Sequence, residues 1–184
     1  MATHLNVRAA SESDLPALVA MDLHYPTTRV LALDRRQNGD EHRFAFRWRE
    51  ATSAPAVYAS YSVEQLRGAL GRVDAFFIAE AGAACVGLLI IRVPVWTDAG
   101  EITDLAIDAA HRRTGAGRAL VERAVEFARE RGLRALWVEP RSDNADAIAF
   151  YLKLGFRLSG FNDRMYSNHD DADGHVTLYM YREV

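Results

Sequence analysis

Several protein classes are excluded by what this sequence lacks. Cys85 is the one cysteine among its 184 residues, so an internal disulfide cannot form. It lies in the apolar run 85–91, where we expect a buried, unreactive thiol. The formal net charge of −3 gives no support for a nucleic-acid-binding surface. No apolar run is long enough to span a bilayer, and the polar N-terminus shows no signal peptide. We therefore expect a cytoplasmic protein without a membrane partner.

A metal centre is not indicated either. The six histidines show no metal-ligand spacing, and no Cys/His cluster accompanies them, so we predict no bound metal. The length suits one domain with a substantial core, and no repeat or linker interrupts it. We therefore predict a single domain over residues 1–184.

The most informative segment runs from Glu101 to Leu120. An alternating apolar strand leads into a basic, glycine-containing turn at 112–117, which opens directly into a helix predicted over 117–131. Glycine lets the backbone approach a ligand closely, and the free N–H groups and dipole at a helix N-terminus attract anions. The segment therefore predicts a pyrophosphate-binding loop. An ordinary strand-to-helix turn with its basic residues in solvent stays open as the alternative.

Two common phosphate-binding loops do not match this turn. A P-loop requires a Lys-Ser/Thr pair after its glycines, and a dinucleotide-binding fingerprint requires a third glycine where Leu120 stands. The pattern that remains is R-x-x-G-x-G, at Arg112, Gly115 and Gly117. It resembles the coenzyme A pyrophosphate loop of the Gcn5-related N-acetyltransferases, the GNAT family.

A second segment resembles another signature of the same family. A buried strand at 133–139 precedes a polar stretch in which Asp143 or Asn144 is expected to cap a helix. The helix then reads N-x-x-A-x-x-F-Y-x-K-L-G-F, in which Ile148, Tyr151 and Leu152 are expected to share one face before a stop at glycine 155. The resemblance is close from about residue 74 onward and weak over the first seventy residues.

The resemblance implies an α/β (α+β) GNAT fold. Its central sheet is mixed, mostly antiparallel and twisted, with about six to seven strands flanked by about four helices. Local patterns predict a hairpin at 29–49, around an Asn-Gly turn signal, and a second hairpin at 75–92. Two further helices are predicted at 14–21 and 63–70. The last predicted elements are an antiparallel strand pair, 157–161 with 175–181, and its loop at 168–174.

An acetyl-CoA-dependent N-acetyltransferase is the activity that the resemblance implies, with acetyl-CoA as co-substrate. The pyrophosphate is expected to bind the loop and the helix start, at Arg112, Arg113, Thr114, Gly115, Ala116, Gly117 and Arg118. Pantetheine is expected to pair with a strand edge at Leu105, Ala106 and Ile107. Asn144 is expected near the pantetheine arm, and Tyr151 near the sulfur.

Acetyl transfer to an amine needs a base for the ammonium and benefits from an acid for the departing thiolate. Tyr151 matches the family's acid, although a core tyrosine is the alternative. Glu139 matches the base of the N-terminal acetyltransferases of ribosomal proteins, and Glu101 that of the histone-acetylating members. Strand parity places Asp104 on the other face from Glu101, where it binds a cationic amine or pairs with an arginine.

The tail, 160–168 and 176–181, resembles the streptothricin acetyltransferases, and peptide N-terminal acetyltransferases share a related tail. We predict transfer of acetyl from acetyl-CoA to a primary amine of a small cationic acceptor, such as a streptothricin-like antibiotic, by direct attack in a ternary complex. The implied role is antibiotic resistance. An N-terminal or lysine acetyltransferase of proteins and a non-catalytic acyl-CoA-binding domain stay open. Whether the protein forms a homodimer also stays open. The hairpin at 29–49 either covers the acceptor site or is purely structural.

Overall fold

The computed structural model describes residues 5–25, 28–51, 60–165 and 176–184. The chain divides into two compact units: Met1–His24, Tyr58–Trp137 and Arg182–Val184 form the first, and Tyr25–Val57 with Val138–Tyr181 form the second. The single domain expected over 1–184 stays a prediction. None of the described helices is both long and apolar enough to cross a membrane.

The described part of the chain contains nine strands and four α-helices. In chain order they are β1 (Leu5–Ala9), α1 (Leu15–Val19), β2 (Arg29–Asn38), β3 (Glu41–Glu50), α2 (Val63–Leu70), β4 (Ala75–Ala81), β5 (Ala84–Arg92), β6 (Ala99–Ile107), α3 (Ala116–Glu130), β7 (Ala135–Val138), α4 (Ala145–Lys153), β8 (Arg157–Asn162) and β9 (Thr177–Glu183). Seven of these strands belong to one mixed sheet, and β2 and β3 form a separate hairpin. The predicted fold class is confirmed.

The first unit is built on five neighbouring strands in the order β1-β4-β5-β6-β7. The first three pairings are antiparallel, whereas β6 and β7 run parallel. β5 is buried from Val86 to Ile91 because helices cover both of its faces, α1 on one and α3 on the other. Cys85, at the start of β5, is half-buried rather than buried, and burial raises the pKa of its thiol, which keeps it protonated.

A charged network joins β1 to the turn that follows it and to β4. The Arg8 guanidinium donates to both carboxylate oxygens of Asp14, at 2.8 and 2.7 Å, and to Glu80. Ser11 adds its backbone N–H and its hydroxyl as donors to Asp14. These contacts, with Arg8 foremost, hold the pKa of Asp14 well below its usual range. The helix expected at 14–21 is shorter: a 3-10 turn at Glu12–Asp14 precedes α1, which ends at Val19.

The predicted helix 63–70 is confirmed, and Ser62 is its N-terminal cap. The Gln65 N–H donates to Ser62 Oγ at 3.2 Å, and the Ser62 N–H donates to Gln65 Oε1 at 2.7 Å. This reciprocal pair satisfies donors that a helix start leaves free. It also fixes the chain just before α2, where Tyr61 lies.

The second unit contains the predicted hairpin, with β2 and β3 paired from Arg29↔Glu50 to Asn38↔Glu41. Gly39 has a φ of 59° in the turn, as an Asn-Gly signal predicts. Phe161 of β8 packs its ring against Phe44 and Phe46, with centroids 5.0 and 5.5 Å apart. β8 pairs antiparallel with β9, as predicted, whereas the loop at 168–174 lies outside the described residues.

Candidate active site

The predicted pyrophosphate loop ends in a helix start that has no side-chain cap. α3 begins at Ala116, one residue before the expected position, and its N-cap is Gly115 with a left-handed φ of 100°. Glycine carries no side chain that could accept from the first-turn amides, so they are left for an acceptor outside the helix. Arg113 also has a positive φ, 63°, which is uncommon for a residue with a Cβ. The backbone therefore suits an anion at this position.

Side-chain contacts hold the turn and leave part of its charge exposed. Thr114 Oγ1 donates to the His111 carbonyl at 2.7 Å, and Arg112 Nε donates to the Ile107 carbonyl at 3.3 Å. Arg113 is exposed, and in the described part of the chain its guanidinium makes no hydrogen bond or ion pair. Arg118 is exposed as well and lies 3.7 Å from Glu122. Arg112 thus stabilises the turn, while Arg113 and Arg118 carry charge towards solvent.

The next part of the site is a backbone edge of β6. Leu105, Ala106 and Ile107 pair with β5 on one side. On the other side, the parallel register with β7 extends from Ala99 to Glu101. Residues 105–107 therefore lie beyond the described pairing with β7, and this edge is where the resemblance expects pantetheine to add as a strand.

A β-bulge in β6 changes which residues share a face. Ile91 pairs with Ile102 and Ile90 with Asp104, so Thr103 is an extra residue on β6. The extra residue reverses the alternation beyond it, and Glu101 and Asp104 come to lie on the same face of the strand. The prediction from parity that Asp104 lies on the other face is therefore wrong, because parity holds only along an unbulged strand.

Asp104 is held by two hydroxyl groups. Tyr61 Oη donates to Asp104 Oδ1 at 2.8 Å, and Thr103 Oγ1 donates to Oδ2 at 2.9 Å. Pairing with an arginine, the alternative expected for Asp104, is not found among the described residues. Sequence reasoning missed Tyr61, because a tyrosine directly before a helix cap belongs to no motif that would mark it.

Glu101 is half-buried, and across the described ranges its carboxylate makes no hydrogen bond or ion pair. Burial raises its pKa; the nearby Asp104 raises it further, and Arg92 lowers it. An unpaired carboxylate with a raised pKa is a stronger base than one in water, and it has a lone pair to offer. Glu101 also lines an open cleft of about 470 Å³ in the first unit.

The second unit holds the other predicted residues. Asn144 is the cap of α4, where the Ala147 N–H donates to its Oδ1 at 3.1 Å, whereas Asp143 is buried and paired with Arg141. A role of Asn144 in pantetheine binding stays a prediction. Glu139 is half-buried and follows β7 directly, before Pro140.

Tyr151 lies on the buried side of α4. It is 8% exposed, and its ring meets Phe156 edge to face with centroids 5.3 Å apart. The ring therefore belongs to a core, and its role as an acid stays a prediction. Leu152, expected on the same face, is 52% exposed, because successive residues of a helix point about 100° apart. Gly155 ends the helix with a φ of 85°, as predicted.

The structure thus places in the first unit the predicted pyrophosphate loop, the strand edge at 105–107 and the carboxylates of Glu101 and Asp104. Glu139, Asn144 and Tyr151 lie in the second unit. In the described ranges, no group of three or more His, Cys, Asp or Glu residues could hold a metal ion.

Comparisons with known proteins find a matching family model and several relatives. Residues 37–156 match the model of the acetyltransferase (GNAT) family. The chain is 28% identical over 180 residues to the streptothricin acetyltransferase of Streptomyces lavendulae, covering 94% of this chain and 92% of the relative. It is 30% identical over 141 residues to the ribosomal protein bS18-alanine N-acetyltransferase of Escherichia coli, covering 77% and 85%.

Solved structures of acetyltransferases are also similar to this chain. A crystal structure of nourseothricin acetyltransferase superposes with a TM-score of 0.76 at 28% identity, covering 97% of this chain and 98% of the other. A structure from Bacillus anthracis, assigned as a streptothricin acetyltransferase and solved with acetyl coenzyme A, has a TM-score of 0.78. The two sequences are 20% identical, and the superposition covers 100% of this chain and 99% of the other, so this similarity supports the fold.

Proposed function

This chain belongs to the acetyltransferase (GNAT) family, and we propose that it acetylates a primary amine of a small cationic acceptor of the streptothricin kind. Acetyl coenzyme A supplies the acetyl group, and the amine attacks the thioester directly in a ternary complex. One observation carries the acceptor class: the bulge at Thr103 places Glu101 and Asp104 on one face of β6. Two neighbouring carboxylates attract a cation and disfavour an anion.

The loop at 112–118 supports the binding of coenzyme A. The uncapped amides of α3 and the exposed Arg113 and Arg118 suit the pyrophosphate, and the edge at 105–107 suits pantetheine. Both features lie on β6 or directly after it. The same strand would therefore position the cofactor and carry the acidic groups for the acceptor.

The carboxylates divide the work with the acceptor between them. Asp104, fixed by Tyr61 and Thr103, supplies a stationary negative charge for the incoming ammonium. Glu101, which has no such contact and a raised pKa, takes the proton from the ammonium nitrogen. The nitrogen lone pair then forms the bond to the acetyl carbon and the carbon–sulfur bond breaks. In this proposal the departing thiolate takes a proton from Tyr151, and the second proton that the nitrogen loses returns to the tyrosine through solvent.

A protein or peptide N-terminus is the second candidate acceptor. The relative from Escherichia coli, named for acetylating an alanine of ribosomal protein bS18, is 30% identical to this chain. In that case Glu139 is the base that the resemblance favours. The two candidates share the cofactor chemistry and differ in the acceptor and in the glutamate.

The test is thiol release from acetyl-CoA, with streptothricin, an alanine-initiated peptide of bS18 and a lysine-containing peptide as acceptors. We expect the highest kcat/KM with streptothricin, and expression of the gene should raise the streptothricin concentration that a sensitive bacterium survives. A preference for either peptide would replace this acceptor class by a protein substrate. Acetyl-CoA binding without release of thiol from any acceptor would indicate a non-catalytic binding domain.

A further inference from the structure

The cleft that contains Glu101 is lined by charged residues from neighbouring strands. Its lining residues are Arg72, Asp74, Arg92, Val93, Pro94, Val95 and Glu101, all in the first unit. Arg92 ends β5 and pairs directly opposite Glu101. Asp74 comes just before β4, where its N–H donates to the Ile91 carbonyl at 3.0 Å. A carboxylate, a guanidinium and a second carboxylate therefore lie side by side across three strands.

The charges of this cleft are not all available to a ligand. Asp74 Oδ2 accepts the Val93 N–H at 2.7 Å, so this carboxylate holds the loop that follows β5. The side chains of Arg72, Arg92 and Glu101 make no hydrogen bond or ion pair to any described residue. The cleft therefore carries two guanidinium groups and two carboxylates, and the guanidinium groups of Arg72 and Arg92 are its free hydrogen-bond donors among the described residues.

We propose that Arg72 and Arg92 form an acceptor subsite that binds a carbonyl or carboxylate oxygen of the compound whose amine reaches Glu101. This subsite rests on the proposed function, in which Glu101 takes the proton of the amine. The two guanidinium groups donate several N–H groups to an oxygen, whereas an ammonium group has no lone pair with which to accept them. Neighbouring strands lie about 4.8 Å apart, so an oxygen on Arg92 is a few bonds from an amine at Glu101. The acceptor is thus an aminoacyl compound rather than a simple polyamine.

The experiment compares lysine amide, lysine and 1,5-diaminopentane, which share the carbon chain and differ in the carbonyl group. Thiol release gives KM and kcat for the wild type, Arg72→Gln and Arg92→Gln. Arg129→Gln, an exposed arginine on α3, is the matched control. In the wild type we expect lysine amide or lysine to have a KM roughly tenfold below that of the diamine, the effect of one charge-assisted hydrogen bond. A lower KM for lysine than for its amide identifies a carboxylate as the preferred group.

In the variants, we expect Arg72→Gln and Arg92→Gln to remove most of this difference. The KM for acetyl-CoA should stay unchanged, the KM for the diamine should not rise, and Arg129→Gln should change nothing. If the wild type does not distinguish the probes, or if the variants alter all three alike, the subsite is wrong. If Arg92 acts only by changing the pKa of Glu101, Arg92→Gln should move the pH profile of kcat for every probe and leave the ratio of the KM values of the probes unchanged. That result would also overturn the subsite.

Failure of the proposed function gives a different result. If no probe is acetylated, calorimetry with coenzyme A present measures binding of the same three compounds. Tighter binding of the carbonyl compounds that is lost in both arginine variants supports the subsite, although the transfer reaction is then refuted. Equal binding of all three probes overturns the subsite as well.

Discussion

Replacing Glu101 by glutamine tests the base and, with it, the chemistry proposed for β6. Glutamine keeps the shape of the side chain but has no basic oxygen. The loop at 112–118 is unchanged, so acetyl-CoA should bind as before. Because general acid–base catalysis contributes typically 10²–10⁴-fold, we expect kcat near neutral pH to fall by about that factor.

The pH dependence makes this test specific. An alkyl amine with a pKa of about 10 is deprotonated in about one molecule per thousand at neutral pH. Without a base, the variant depends on this fraction, so its rate should rise about tenfold per pH unit until the amine titrates. The wild type should instead reach a plateau above the pKa of Glu101, which burial raises.

Asp104→Asn is the companion variant, and the sign of its effect follows from the charges. Asp104 raises the pKa of Glu101, so its loss should move the acid limb of the pH profile to lower pH. The KM for a cationic acceptor should rise because one attracting charge is lost. The measurement is thiol release from acid to alkaline pH, with Glu139→Gln as a parallel variant. If Glu101→Gln keeps the wild-type profile, Glu101 is not the base; if Glu139→Gln also keeps it, neither glutamate is.

Other predictions concern the cofactor, the acid and the stability of the first unit. Gly117→Asp places a negative charge at the loop, and calorimetry should show much weaker acetyl-CoA binding while circular dichroism stays native; unchanged affinity would refute the loop. Tyr151→Phe should lower turnover by roughly 10²–10⁴-fold with cofactor binding kept, and wild-type turnover would leave it a core residue. Gly87→Ala puts a Cβ 2.5 Å from a side-chain methyl and 3.0 Å from a carbonyl oxygen. Urea unfolding should show a loss of about 1–3 kcal/mol in the free energy of unfolding, whereas Gly71→Ala, which has open space, should lose less. The lowered pKa of Asp14 stabilises the fold above its unfolded pKa of about 3.9, so thermal stability should fall on acidification, and Asp14→Asn should flatten that fall.

The sequence predicts best where local chemistry decides the structure. The start of α3 was within one residue of its expected position, because glycine residues and the change of hydrophobic period mark it. The helix at 63–70 and the two hairpins follow from a capping serine and from turn residues. These signals act over a few residues and do not depend on distant parts of the chain.

Features that depend on pairing between strands could not be predicted. Nothing in the residues of β6 marks Thr103 as an extra residue, since the bulge exists only in its register with β5. The contact of Tyr61 with Asp104 spans 43 residues and needs α2 and β6 in place. The sequence predicts Asp104 as a candidate residue of the acceptor site, but it does not predict the face of the sheet on which Asp104 lies or the hydroxyl groups that bind it.

The extra residue in β6 has an evolutionary meaning. Deleting one codon at Thr103 would remove the extra residue and leave Asp104 two positions after Glu101, still on the same side of the sheet, because side chains alternate with a period of two. Two carboxylates three positions apart on a bulged strand are therefore equivalent to two carboxylates two positions apart on a regular strand. In an alignment of relatives, a one-residue gap between these carboxylates is compatible with an unchanged pair, whereas a substitution of either carboxylate is not.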